Sequence, residues 1–231
     1  MSITLYTSGT TKEPKVIEHS WEYLKQCAEY TIAEMKLTKD SRVLDVYPSN
    51  TIAHWTISAY PAVLSGCDYS CMKFDAKTYV RNFIRIQPTH IYLVPAHLPL
   101  LEAEPTFTDL DMTCVEYCVL GADIVTQDMC DLLRRKGATV RVWYGMTENP
   151  PPVLIGYGSP IFTRFNPAFD LTWTEENELI INGEPTKDIF DHEQWIDGLE
   201  KGGLSPQYSA GLVYNRRIQG VPGKATWKNT F

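Results

Sequence analysis

The chain has 231 residues, 44% of them hydrophobic and 21% charged, with a formal net charge of −7. This composition is that of an ordinary globular protein of about one or two domains and excludes a disordered or fibrous chain. The acidic balance disfavours nonspecific nucleic-acid or membrane-surface binding, so neither is expected as a partner.

No apolar run approaches the roughly 20 residues of a membrane span, and nothing at the start reads as a signal peptide, so a cytoplasmic protein is expected. Six cysteines, Cys27, Cys67, Cys71, Cys114, Cys118 and Cys130, are scattered along the chain. Cys67/Cys71 and Cys114/Cys118 lack the C-x-x-C spacing of a zinc knuckle, which favours free thiols over a four-thiolate site.

In chain order, Tyr6-Thr7-Ser8-Gly9-Thr10-Thr11-Lys12-Glu13-Pro14-Lys15 lies between apolar Ile3 and Leu5 and apolar Val16 and Ile17. Two strands joined by a hydroxyl-rich loop are expected. Hydroxyls, backbone N–H groups and a lysine in such a loop suit a phosphate. It is not a P-loop, because the second glycine and the Lys-Ser/Thr pair are missing. Ser20 is then the expected N-cap of an amphipathic helix with Trp21, Leu24, Ala28, Ile32 and Met35 on one face.

Residues 42–47 read as a strand, and an apolar segment opening at Thr51 runs through His54 to Leu64. Asp75 caps a helix to Ile86 with Val80, Phe83 and Ile84 as its expected buried face, stopped by Gln87-Pro88. Strands follow at 89–95 and 115–120, the second ending at Gly121-Ala122-Asp123. A helix from about Ile124 to Lys136 with Gly137 as its stop leads to a strand over 139–143 and then to Tyr144-Gly145-Met146-Thr147-Glu148. Beyond Pro150-Pro151-Pro152 the helix signals fade, and 169–173 and 178–183 read as antiparallel strands. The expected fold is α/β, a mixed sheet flanked by helices with a smaller β-rich C-terminal portion: residues 1–149 form the α/β core and 150–231 the β-rich portion of the same domain.

The loop resembles the phosphate loop of the adenylate-forming superfamily (acyl-CoA synthetases, luciferase and adenylation domains), Tyr-Thr-Ser-Gly-Thr-Thr-Gly-x-Pro-Lys-Gly. Eight of its eleven positions are kept here. Two family glycines are replaced, by Lys12 and Val16. Gly121-Ala122-Asp123 resembles the Gly-Gly/Ser-Ala turn whose backbone lies along adenine and the acyl pocket. Tyr144–Glu148 matches Tyr-Gly-x-Thr-Glu at every fixed position, and Glu178–Gly183 is similar to a Glu-Leu-x-Ile-x-Gly strand.

The resemblance implies ATP-dependent adenylation of a small carboxylic acid, with release of pyrophosphate. Lys15, Thr147 and Glu148 are then the catalytic residues. Thr7, Ser8, Gly9, Thr10, Thr11, Lys15, Gly121, Ala122, Asp123, Tyr144, Gly145 and Thr147 hold the nucleotide, with Tyr144 stacked on adenine. Glu148 binds Mg²⁺, and His54 with Gly121 lines the substrate pocket. ATP and Mg²⁺ are the implied cofactors, with coenzyme A as an acyl acceptor.

Departures accompany the match. Met1 stands just before the loop, where the superfamily carries an N-terminal subdomain, and the C-terminal domain with its catalytic lysine is also expected to be absent. Gly223-Lys224 resembles that lysine's motif only weakly. The ribose-binding aspartate aligns with Gly203 of Lys201-Gly202-Gly203, leaving Asp197 as a substitute, and Arg216 or Arg217 aligns with the arginine that follows. A second copy of the chain or a partner protein is an expected way to fill the subdomain gap. The rival reading is a catalytically degenerate nucleotide- or acyl-adenylate-binding module acting through protein contacts.

Overall fold

The computed structural model describes residues 2–7, 15–193 and 211–217. An antiparallel hairpin of β1 (Ser2–Thr7) and β2 (Lys15–Ser20) stands apart as a two-stranded sheet. Its Leu5 is buried with Leu24 and Ile52, which seats the hairpin on the helical layer. Ser20 caps α1 (Trp21–Met35), accepting from the Tyr23 backbone N–H at 3.1 Å. This helix buries Leu24, Ala28, Thr31 and Met35, one stripe at three- and four-residue spacing.

The parallel part of the main sheet is built from β3 (Arg42–Asp45), β4 (Asp68–Cys71), β5 (His90–Leu93), β6 (Tyr117–Gly121) and β7 (Val140–Tyr144). The spatial order is β4-β3-β5-β6-β7, a doubly wound arrangement whose order reverses between β3 and β5. Every residue of β5 and β6 is buried, as expected of parallel strands covered on both faces.

A π-helical turn (His54–Ala59) and α2 (Tyr60–Ser65) connect β3 to β4. The other crossovers use α3 (Ala76–Ile86), α4 (His97–Glu102) and α5 (Gln127–Arg135). Asp75 caps α3 through the Thr78 N–H at 2.8 Å, and Gln87, at φ 48°, ends it. The expected buried face of α3 needs one correction. Tyr79, Val80 and Phe83 are buried, whereas Ile84 is 56% exposed, because the stripe facing the sheet passes through Tyr79 instead. The fifth helix begins later than expected, at Gln127, because Thr126 supplies the cap, accepting from the Met129 N–H; Gly137 ends the turn at φ 99°.

Beyond β7 the sheet continues antiparallel through β8 (Leu154–Tyr157), β9 (Ile161–Phe165), β10 (Leu171–Trp173), β11 (Glu178–Ile181), β12 (Glu184–Glu193) and β13 (Gly211–Arg217). Among the described residues this makes eleven strands in the order β10-β11-β12-β13-β9-β8-β7-β6-β5-β3-β4. The fold is therefore a mixed α/β sheet with helices on its faces and an antiparallel β extension. The pairing of residues 169–173 with 178–183 is seen as Leu171 opposite Ile181. The sequence reading had no strand over 154–165.

His90 and His97 are core residues. His90 bonds to the Met35 carbonyl through Nε2 at 2.9 Å, and His97 stacks on Phe74 while its Nδ1 accepts from the Val94 N–H at 3.2 Å. Burial lowers both, His97 to about 4. A depressed histidine is neutral in the folded chain and charges only on unfolding. Its stability contribution is complete above about pH 6.5, the unfolded value, and is lost as pH falls towards 4. The loss is on the order of 3 kcal/mol for His97. His97→Asn, which keeps an acceptor for the Val94 N–H, should flatten the fall in melting temperature over that pH window, as checked by calorimetry against the wild type.

Candidate active site

In a doubly wound sheet, ligands meet the chain beyond the carboxyl ends of the parallel strands. Both glycine-containing turns lie there. Gly121 is the last residue of β6 and pairs with Trp143 of β7. A Cβ at Gly121 would lie 2.3 Å from the Trp143 carbonyl oxygen, so the two strands approach more closely than any side chain allows. The chain then turns through Ala122 in the left-handed region (φ 69°) to Asp123, exposed, whose carboxylate accepts from the Ile124 N–H at 2.7 Å.

The second turn leaves β7 at Tyr144 and returns at β8. It is closed by the Met146 N–H donating to the Asn149 carbonyl at 2.9 Å and the Val153 N–H donating to the Tyr144 carbonyl at 2.8 Å. Gly145 is needed because a Cβ there would lie 2.6 Å from the Pro151 backbone. The constriction fixes the path of Thr147 and Glu148, both part-exposed.

Two interactions bring the hairpin to this turn across more than a hundred residues of sequence. Lys15 Nζ donates to Glu148 Oε1 at 2.9 Å, with the two side chains 63% and 29% exposed. His19 Nε2 donates to the Thr147 carbonyl at 2.6 Å, which places the proton on Nε2. Lys15, Thr147 and Glu148 are thus assembled in one place, the lysine arriving from the end of the loop and the carboxylate from the end of β7. His19 falls where the resembled superfamily often has a His-Ser or Thr-His pair after the loop, a place that could equally serve only to turn the chain into the helix; here its ring contacts the turn.

Tyr144, expected to stack on adenine, is largely buried at the end of β7. Its ring is 6% exposed, set edge-on to Phe190 and Phe162, and its hydroxyl donates to Asp188 Oδ2 at 2.6 Å. The ring packs beneath the turn. The apolar faces of β9 and β12 claim it, and no local pattern announces those long-range neighbours. His54 is likewise buried, in the π-helical turn, with Nδ1 2.8 Å from Asp45 Oδ2. Ser8, Gly9, Thr10 and Thr11 lie outside the described residues, and Thr7 is described only as the end of β1. Asp197, Gly203 and Lys224 also lie outside them, as do the side chains of Arg216 and Arg217.

The thiols do not form a four-cysteine cluster among the described residues. Cys118 and Cys130 are buried, Cys71 is exposed, and all six are free. No helix among the described residues is long and apolar enough to cross a membrane.

The family model for AMP-binding enzymes matches residues 1–175, about three quarters of the chain. The chain belongs to the AMP-binding enzyme family. Among its AMP-binding relatives, an indoleacetate–CoA ligase of Aromatoleum aromaticum is 29% identical over 147 residues, which cover 63% of this chain and 29% of that ligase. The mitochondrial acyl-coenzyme A synthetase ACSM5 of Rattus norvegicus is 25% identical over 229 residues, covering 87% of this chain and 38% of the synthetase. The chain thus spans well under half the length of these two relatives. In solved structures the same fold appears in the O-succinylbenzoate coenzyme A synthetase MenE of Bacillus subtilis, in complex with ATP and magnesium. That match has a TM-score of 0.74 at 18% identity, over 94% of this chain and 51% of that one. The N-terminal domain of FACL13 from Mycobacterium tuberculosis matches with a TM-score of 0.73 at 19% identity, over 93% and 60%.

Proposed function

We propose that this AMP-binding chain carries adenylation chemistry: a small carboxylic acid is joined to AMP from ATP, and pyrophosphate leaves. The observation that carries this reading is the Lys15–Glu148 pair, held at the mouth of the site by the His19 contact to Thr147. A carboxylate oxygen of the acid attacks the α-phosphorus while the bond from phosphorus to the bridging oxygen breaks, its electron pair leaving with pyrophosphate. No covalent protein nucleophile is required, so the protein acts by positioning and by stabilising charge.

Glu148 is a hard, solvent-accessible carboxylate and fits Mg²⁺, which would neutralise phosphate charge when bound. In the nucleotide-free chain Lys15 balances that carboxylate. With Mg-ATP bound, Glu148 would hold the ion and Lys15 would meet the outer phosphates, so neither charge would be left uncompensated. The Thr147 hydroxyl would donate to the α-phosphate, and Ser8, Gly9, Thr10 and Thr11 to the outer phosphates. Adenine would run along Gly121–Asp123, with Tyr144 as the support of the turn. Acyl transfer to coenzyme A is a second step, which the coenzyme A ligase names of the relatives support.

Two measurements test the reading. Isothermal titration should show Mg-ATP binding, with a rise in melting temperature by linkage to the folded state. ATP–pyrophosphate exchange across a panel of carboxylic acids should then identify the acid. Absence of ATP and AMP binding at millimolar concentration overturns the proposal; binding without exchange for any acid leaves the nucleotide-binding module in its place.

A further inference from the structure

At the far side of the sheet, Asp45 and Cys71 are register partners, the last residues of the parallel neighbours β3 and β4. The π-helical turn brings His54 against the same point, and such wide turns are frequent where a side chain must be re-aimed at a functional site. One ligating atom from each of the three, a carboxylate oxygen, an imidazole nitrogen and a thiol sulfur, lie within 4.8 Å of one another.

The balance of hydrogen bonds around Asp45 is uneven. Oδ1 accepts from the Tyr47 N–H at 2.8 Å, and Oδ2 accepts from the Ser58 hydroxyl and the Tyr69 hydroxyl, each at 2.7 Å. Nδ1 of His54 is only 2.8 Å from Oδ2, yet it has no hydrogen bond, and the side chain is 9% exposed. The imidazole is thus paired with the carboxylate but off the line of an ideal N–H···O bond. A cation in place of the proton between them would bond the nitrogen and the carboxylate directly, with the Tyr69 hydroxyl giving up its bond to Oδ2.

We propose that Asp45, His54 and Cys71 form a binding site for a divalent zinc-like cation. Oxygen, nitrogen and thiolate ligands suit zinc, whose bonds of roughly 2.0–2.3 Å place tetrahedral ligand atoms roughly 3.3–3.7 Å apart. The Nδ1–Oδ2 distance of 2.8 Å is shorter than that and all three atoms lie within 4.8 Å of one another, so rotamer adjustments on the order of an ångström complete the shell. Three protein ligands leave a fourth position open to a water or an exogenous donor, reached from the exposed Cys71 side. Ser58, bonded to Asp45, orients the carboxylate from behind, as outer partners of metal ligands do. Of its three residues only His54 carries another expected role, in the substrate pocket.

The test uses the whole chain after chelator treatment. Zinc titrated against a competing chromophoric chelator should bind one to one at Asp45–His54–Cys71. Cobalt(II) in its place should give tetrahedral d–d absorption and a thiolate-to-cobalt charge-transfer band. Cys71→Ser, at an exposed position, should abolish that band and weaken zinc binding by about a hundredfold or more, beyond the 10–100-fold loss that an outer partner produces. His54→Ala should weaken binding comparably. Tyr69→Phe removes a hydroxyl that competes for Asp45 Oδ2, so it should keep or tighten binding. No one-to-one zinc binding by the wild type, or a thiolate–cobalt band that survives Cys71→Ser, overturns the site.

Discussion

Glu148→Gln should slow ATP–pyrophosphate exchange by about a hundredfold or more, the scale of losing one preorganised electrostatic stabiliser. The substitution is nearly isosteric and removes only the charge that Lys15 meets at 2.9 Å and that Mg²⁺ would meet in the complex. Charge on the departing pyrophosphate grows towards the transition state, so the loss should fall on the rate more than on ground-state affinity. AMP, which lacks the leaving group, should bind the variant nearly as well as the wild type. The turn itself should survive, because its shape depends on the Met146–Asn149 and Val153–Tyr144 backbone bonds and on the His19 contact to the Thr147 carbonyl, none of which uses the carboxylate. Exchange kinetics and AMP titration on the purified variant check both halves of the expectation. Exchange at the wild-type rate would remove Glu148 from the mechanism.

Gly121→Ala should cost about 3 kcal/mol of stability, the upper end for overpacking a core position. The added Cβ would lie 2.3 Å from the Trp143 carbonyl oxygen, a backbone atom of the adjoining strand that no rotamer change can withdraw. Relief requires β6 and β7 to separate where they are hydrogen-bonded and buried on both faces. The same displacement would carry the Gly121 and Tyr144 turns apart, so nucleotide affinity should fall together with stability. A lower denaturant midpoint at unchanged slope would report the stability loss. An unchanged midpoint would mean that the close approach is not a feature of the folded protein.

Local signals in the sequence were sufficient for the elements that are punctuated by their own residues. Ser20, Asp75 and Gly137 fix helix ends through bonds or dihedral angles that span only a few residues, so their meaning does not depend on the rest of the chain. The spacing of the hydroxyl-rich loop, the Gly121 turn and the Tyr144–Glu148 segment pointed to the family on the same footing, because each must present particular backbone and side-chain groups to one kind of ligand. The mixed α/β sheet flanked by helices followed from strands alternating with helices, whereas its doubly wound order did not.

Tertiary structure alone decided which side chains face which neighbours. Tyr144 meets Phe162, Phe190 and Asp188 from strands added later in the chain. Ile84 and Tyr79 both fit a helical stripe, and only the packing angle of α3 on the sheet selects Tyr79 for burial. His19 reaches Thr147, and Asp45 meets His54 and Cys71, through a chain fold that closes long loops at little entropic cost per added residue and leaves no trace in local spacing. Sequence alone thus established the family and the order of its elements, because capping, turn and ligand motifs are short-range. The composition of the charged sites was settled by long-range packing, which brings together residues that share no pattern.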